Sequence, residues 1–133
     1  MRCQECRECL GLADGDHSVI TRLRSNPTSL SEREARIGHA LILRLHPHVT
    51  IWFQQHLDMV WASGGDRQIE KVFALVSGLP CHPMPQLAGS AISWQNNTLP
   101  DTTAFAVELP AGRPSAAQVS RIGRAVLAAA GTK

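Results

Sequence analysis

The segment Thr102-Thr-Ala-Phe-Ala-Val-Glu-Leu-Pro110 is rich in β-branched and aromatic residues and carries one charge, Glu108, close to its end. This composition predicts a buried strand that Pro110 ends, because proline cannot donate a backbone hydrogen bond to a central ladder. In open α/β sheets, ligands bind in the crevice outside the carboxyl ends of the strands. Glu108 is therefore a candidate general base or metal ligand, and the alternative is a solvated residue at a strand end.

Length and composition indicate one globular domain. The chain has 133 residues, of which 44% are hydrophobic and 18% are charged, and a chain of this size buries roughly 68% of its unfolded surface. The formal net charge of +2 is too small to indicate a nucleic-acid or membrane partner. No apolar run approaches the ~20 residues of a membrane span, and the amino terminus lacks the apolar stretch of a signal peptide. We therefore expect a cytoplasmic protein.

The amino-terminal residues differ in character from the rest of the chain. We expect a disordered leader over residues 1–28 and an α/β domain over residues 29–133, because the leader shows neither strand nor helix periodicity. The leader also holds three of the four cysteines at a spacing of two intervening residues, namely Cys3, Cys6 and Cys9. Thiolates so spaced can reach one ion, and His17 or Cys81 could supply a fourth ligand. A metal site is the alternative to free thiols in a disordered segment.

A first helix is predicted from Ser31-Glu-Arg-Glu34 to about Leu45. The Ser and Glu match the capping-box pattern, in which both side chains bind orphan amides of a helix start. Pro47 follows the end of this helix. The pattern places Ala35, Ile37, Leu41 and Leu45 among the apolar positions and leaves Arg33, Arg36 and His39 more exposed.

A short buried strand, Val49-Thr-Ile-Trp-Phe53, comes next and leads directly into Gln54-Gln-His56-Leu-Asp58. The polar cluster is either an ordinary exit from a strand into a loop or part of a site. Since strand ends are the usual place for ligands in α/β sheets, His56 is a candidate site residue.

The middle of the chain predicts a loop, a helix and a surface segment. Trp61–Asp66 is the loop, and Asp66 caps a helix over Arg67–Ser77 that ends at Gly78. One face of this helix carries Ile69, Val72, Phe73 and Val76. Leu79–Leu87 contains three prolines and is expected to run over the surface. Gly89–Asn97, with small residues followed by Trp94, is predicted to be a loop that lines a pocket, or a plain surface loop.

A closing helix starts at Pro114-Ser115, continues through Val119, Ile122, Val126 and Leu127, and finishes at Gly131. The order is therefore helix, strand, helix, strand, helix, and a crossover of this length implies parallel neighbouring strands. We expect an α/β fold, a partial layered sheet with parallel strands and flanking helices. In it, the Gln54–His56 turn and Glu108 lie on one carboxyl edge.

Four motifs follow one another in a specific order. They are Ser31-Glu-Arg-Glu34, Val49-Thr-Ile-Trp-Phe53 running into Gln-Gln-His56, Gly89-Ser-Ala-Ile-Ser-Trp94 and Val107-Glu-Leu-Pro110. In this order they resemble the carboxyl-terminal half of the zinc carboxypeptidases, closest to the compact bacterial members that trim murein peptides. The resemblance covers about Ser29 to Leu127.

The resemblance implies a zinc metallocarboxypeptidase that hydrolyses a peptide or murein-peptide bond with metal-activated water. Glu108 would be the general base and His56 a zinc ligand, although Gln54 stands where the family usually has its ligand histidine. The pocket would be lined by Gly89, Ser90, Ile92 and Trp94, and Ile92 would favour a small or apolar substrate side chain.

The sequence lacks a motif that the family carries in its upstream half and a residue that the animal enzymes carry in their pocket. The family takes two zinc ligands from a His-x-x-Glu motif, but none of the histidines in this chain has Glu three residues later. The chain also contains no Tyr, so the pocket tyrosine of the animal enzymes has no counterpart. We therefore expect an incomplete carboxypeptidase-like chain without activity of its own, which self-associates through an exposed sheet edge. The alternative is a non-catalytic α/β fragment or binding module that keeps the pocket without the metal.

Overall fold

The computed structural model describes residues 33–84 and 89–132. Within them, the elements follow in the order α1 (Arg33–Leu45), β1 (Val49–Ala62), α2 (Arg67–Ser77), β2 (Cys81–Pro83), α3 (Ala91–Thr98), β3 (Thr103–Pro110) and α4 (Ala116–Ala130). The predictions for residues 1–28, with Cys3, Cys6, Cys9 and His17, and for the capping residue Ser31 lie outside the described residues. Among the described helices, none combines the length and apolar character that crossing a bilayer requires.

The described strands form one sheet in the order β2-β1-β3, and β1 pairs in parallel with β2 through its second half and with β3 through its first half. Parallel strands need a crossover connection; α2 supplies it between β1 and β2, and the segment with α2, β2 and α3 connects β1 to β3. The predicted α/β fold with parallel strands and flanking helices is confirmed.

The long strand β1 contacts β3 twice. Residues Val49–His56 pair with Thr103–Pro110 in parallel register. After several register shifts, the second half of β1 pairs in the reverse order: Met59 with Glu108, Val60 with Val107 and Trp61 with Ala106. Because Phe53 and Val60 both pair with Val107, the two halves of β1 lie on opposite sides of β3. β3 is thereby flanked on both edges, and its residues from Thr103 through Glu108 are buried.

The two faces of β3 support two hydrophobic clusters. Phe105 and Val107 pack in the larger cluster, against Ile69, Phe73 and Ala74 of α2 and Ala125 and Ala129 of α4. Ala104 and Ala106 pack in the smaller one, against Ile92 of α3, with Trp52 and Trp61 at its margin. This alternation follows from the strand period of two. We call these sides of the sheet the α2/α4 face and the α3 face.

Local sequence signals place the ends of two helices as predicted. The Asp66 side chain accepts the Gln68 amide at 2.7 Å, and α2 ends at Gly78 with a left-handed φ of 72°. Glycine adopts this conformation without the steric penalty of a Cβ. Ser115 and Gln118 form a capping box at the start of α4. The helix start at Ser115 and its end at Gly131 are confirmed.

The strand predicted over Val49–Phe53 is longer than expected, and the prediction of a loop after it was wrong. β1 continues from Gln54 through Ala62, so the polar cluster with His56 lies within a strand. The reason is pairing, because β3 offers backbone partners on one edge to the first half of β1 and on the other edge to the second half. Composition alone does not reveal such partners.

The burial pattern predicted for α1 was also wrong. Ile42 is the buried residue of this helix, while Ile37, Leu41 and Leu45 are 58%, 43% and 61% exposed. His39, expected on the exposed side, is half-buried and stacks on Trp94 with ring centroids 4.4 Å apart. The helix therefore packs through the side that carries Gly38, His39 and Ile42, and its leucines lie on the exposed side.

The segment expected to be a loop over Gly89–Asn97 contains a helix instead. Ser90 caps α3 by accepting the Ser93 amide, and the helix extends over Ala91–Thr98. The small residues therefore begin a helix, because a serine side chain satisfies amides that a helix start leaves orphaned. β2 is a three-residue strand at the edge of the sheet, which is where proline is tolerated.

Candidate functional site

Glu108 is a buried carboxylate near the carboxyl end of β3. Its side chain is 8% exposed, and Oε2 is buried with no hydrogen-bond partner among the described residues. Alternation along β3 puts Glu108 on the α3 face, together with Ala104 and Ala106. A buried carboxylate oxygen without a partner is costly, so its presence marks this position as a candidate binding site.

Both halves of β1 bring side chains up to Glu108. Gln54 pairs with it on one side and Met59 on the other. Two residues before Glu108 on β3, Ala106 pairs with both Trp52 and Trp61. The Nε1 atom of Trp52 is buried and likewise lacks a partner. The α3 face thus combines an unpartnered acceptor, an unpartnered indole donor and an exposed amide, Gln54.

Helix α3 closes the far end of this face. Gln95 is fully buried and its Nε2 donates to Thr50 Oγ1 at 3.0 Å, leaving its own Oε1 without a partner. Asn96 binds both backbone groups of Ala104 and the carbonyl of Ser63. These contacts tie α3 to the sheet, and therefore hold the smaller cluster beside Glu108 in place.

The residues predicted to line a substrate pocket lie at the start of α3. Ser90 is the helix cap, and Gly89 precedes it with φ of 85°. Ile92 is 6% exposed and packs against Ala104 and Ala106 rather than into open space. Trp94 is half-buried against His39. Contact of these four residues with a substrate stays a prediction.

The pairing register brings Gln54 rather than His56 to the side of Glu108. His56 pairs with Pro110 and is exposed, while Gln55 donates to the carbonyls of Pro110 and Gly112 at 3.1 and 2.8 Å. The described residues contain no group of three His, Cys, Asp or Glu side chains that could hold a metal ion. Since zinc sites use at least three protein ligands, the residues around Glu108 do not fit a zinc ion.

Sequence reasoning missed the roles of Trp52 and Glu70. Glu70 is 1% exposed, and its Oε1 accepts the Ser63 amide at 2.9 Å while Oε2 lacks a partner. Burial raises the pKa of this carboxyl, although the Ser63 amide and Arg67 act in the opposite direction. An acidic residue in the first turn of a helix is typically solvated, so no sequence signal distinguished Glu70.

The fold and the edge around Glu108 define a layered α/β module with a candidate site at the carboxyl end of β3. Among solved structures, the chain is similar to murein-tripeptide amidase MpaA from Escherichia coli O157, with a TM-score of 0.60 and 18% sequence identity. The match covers 77% of this chain and 42% of the amidase chain, so the similarity spans less than half of that protein. No protein-family model and no curated protein sequence matches the chain. At this identity, the likeness shows a shared fold.

Proposed function

We propose that the chain is the peptide-binding part of a peptidase-like hydrolase, with Glu108 as its candidate general base. The observation that carries this proposal is the Glu108 carboxylate, nine-tenths buried, with an oxygen that has no partner among the described residues, near the carboxyl end of β3. That is the edge at which α/β sheets bind their ligands. The fold shared with a murein-tripeptide amidase supports the choice of an amide substrate, and a murein peptide in particular.

A peptide bond matches the unpartnered groups on the α3 face. An amide offers one N–H donor and one carbonyl acceptor, which match the chemistry of Glu108 Oε2 and Trp52 Nε1–H. Both atoms are buried, so binding would require these side chains to turn toward the ligand. Hydrogen bonds to such buried groups are favourable because each group is otherwise left without a partner. The side chain of Gln54, which can both donate and accept, would contact the same ligand at the exposed margin.

In hydrolysis, Glu108 would take a proton from a water molecule as the water oxygen bonds to the amide carbon. The resulting carboxylic acid would return that proton to the nitrogen as the carbon–nitrogen bond breaks. The carboxylate is then regenerated, and the products are an acid and an amine. Zinc, expected from the family resemblance with His56 as a ligand, does not fit the described residues, so no step of this proposal depends on it.

A second candidate is a non-catalytic peptide-binding module. It is favoured by Gln54, an amide side chain beside Glu108 where the family resemblance expects a ligand histidine. It is favoured also by the lack of any three-ligand group in the described part of the chain. Both candidates place the peptide on the α3 face and differ in whether its bond is cleaved.

The experiment measures binding and hydrolysis separately, with a murein tripeptide as the probe. Calorimetry of the full chain gives the Kd, and release of free amine gives the rate. We expect measurable binding that Glu108→Gln weakens, with Glu34→Gln on the exposed start of α1 as the control. If the chain hydrolyses the peptide, Glu108→Gln should lower kcat about 10²- to 10⁴-fold. Binding without hydrolysis would select the binding module. Absence of both would refute the proposal.

A further inference from the structure

A cavity of about 350 Å³ lies on the α2/α4 face, on the other side of the sheet from Glu108. The cavity lies between the carboxyl-terminal end of α2 and the amino-terminal end of α4. The carboxyl ends of β3 and of the first half of β1 also border it. Apolar side chains make most of its wall, namely Phe53, Leu79, Leu109, Pro110, Pro114, Val119 and Ile122. Its volume falls in the range of roughly 300–1,000 Å³ that small-molecule sites occupy, and such sites are mainly apolar with a few polar groups.

Some polar side chains of the cavity have hydrogen-bond partners among the described residues, and others have none. Ser77 Oγ donates to the Ala74 carbonyl, and Gln118 Oε1 accepts the Ser115 amide. In contrast, Arg121 and Asp58 make no hydrogen bond or ion pair with the described residues. The cavity therefore offers a cation and an anion that have no partner among the described residues, beside an apolar wall.

Arg121 is an exposed residue of the cavity wall, beside the end of α2. A Cβ placed on Gly78 would lie 3.8 Å from Arg121 Nη1, so the guanidinium lies over the glycine that ends α2. A guanidinium presents a planar set of donors that matches a carboxylate in two parallel hydrogen bonds. Asp58 lies at the turn between the two halves of β1, with φ of 57°, and is exposed.

We propose that this cavity binds a small apolar carboxylate, with the hydrocarbon against Phe53, Leu109 and Ile122 and the carboxylate on Arg121. Asp58 repels such a ligand weakly from the exposed side and orients its charge toward Arg121. Glu108, Gln54, Met59 and Trp52 do not line this cavity, so the site is separate from the one proposed for peptides.

Octanoate is the probe, and octanol is its neutral counterpart, both titrated into the full chain by calorimetry. We expect saturable one-to-one binding of octanoate that Arg121→Met weakens about tenfold, since Met keeps the apolar stem and removes the charge. Octanol binding should not change in this variant. Arg124→Met is the matched control, because Arg124 lies on the same helix and contacts Ser120 instead of the cavity. Equal octanoate affinity in Arg121→Met and in the unaltered chain would overturn the proposal.

Three further variants, one of them a control, locate the ligand. Val119→Trp fills the cavity and should abolish octanoate binding, whereas Leu127→Trp, at a position 75% exposed on the same helix, should leave it unchanged. Asp58→Asn should leave the affinity for octanoate unchanged or raise it, because a repelling charge is removed. Failure of octanoate to bind, binding that survives Val119→Trp, or weaker binding after Asp58→Asn would each contradict the assigned geometry. Circular dichroism confirms that each variant is folded.

Discussion

Glu70 and Glu108 are both buried carboxylates, and their surroundings give them different roles. Glu70 lies in the first turn of α2, where the Ser63 amide binds one of its oxygens. It therefore anchors the loop between β1 and α2. Glu108 lies near a strand end, has an unpartnered oxygen and pairs with side chains from both halves of β1. The buried carboxylate of Glu70 therefore stabilises the loop before α2. The unpartnered oxygen of Glu108 is instead the basis of the proposed peptide site.

Burial raises the pKa of Glu70 above its ordinary value of 4.5, which makes folding stability depend on pH. The folded chain holds this proton more tightly than the unfolded chain, so the contribution of Glu70 to stability falls as pH rises from about 4.5 through the folded-state pKa. Above that pKa the loss is complete and constant. We expect the free energy of unfolding of Glu70→Gln, relative to that of the unaltered chain, to increase with pH over this window.

Urea denaturation from pH 4.5 to 7.5 checks this expectation, with Glu34→Gln as the exposed control. The difference between Glu34→Gln and the unaltered chain should show no such increase. A difference for Glu70→Gln that is constant or decreases with pH would show that burial does not control the ionisation of Glu70.

Asn96 shows how one side chain joins three elements. Its Oδ1 accepts the Ala104 amide at 2.7 Å, and its Nδ2 donates to the carbonyls of Ala104 and Ser63 at 2.9 and 3.1 Å. Gly65 lies against the same place, since a Cβ there would be 2.6 Å from Thr103 Cγ2. The loop after β1, the start of β3 and α3 are therefore packed too closely for water to replace the amide.

We expect Asn96→Ala to lower the free energy of unfolding by about 3 kcal/mol, because buried backbone groups lose their partner. The neighbouring Asn97 is exposed and donates one bond to the Ser93 carbonyl within α3. Asn97→Ala is thus a matched control with an expected change within about 0.5 kcal/mol. Chemical denaturation of both variants gives the comparison. Similar values for the two would mean that the Asn96 contacts do not hold α3 on the sheet.

On the scale of the whole molecule, the described chain leaves apolar surface exposed. α1 carries Ile37, Leu41 and Leu45 at exposures of 58%, 43% and 61%, and β1 carries Phe53 and Leu57 at 45% and 49%. Among the described strands, the first half of β1 has a neighbour on one side, which is β3. Open sheet edges and contiguous apolar patches both favour association. The predicted self-association therefore has two sources in the described structure.

We predict self-association at micromolar concentration, and we expect the double variant Leu41→Lys with Leu45→Lys to reduce it, because two charges then lie on the apolar side of α1. Leu75→Lys is the control, since Leu75 is 83% exposed on a different helix. Light scattering across a concentration series measures the mean mass. A single sharp monomer peak for the unaltered chain throughout the series would count against the prediction.

The features that the sequence by itself determined are those with local causes. The Asp66 cap, the end of α2 at Gly78 and the start of α4 at Ser115 depend on atoms a few residues apart, so their patterns predict them. The strand that contains Glu108 was equally readable, because its composition and its final proline are local properties. Parallel pairing followed from the length of the helical crossovers.

The tertiary structure alone decided the features that depend on partners distant in the chain. β1 continues through Gln54 and His56 because β3, some fifty residues later, pairs with both of its halves. The buried side of α1 is set by packing against Trp94 and Trp52 rather than by its own leucines. The pairing of Gln54 with Glu108 likewise depends on register, and register is a relation between two strands that neither strand encodes separately.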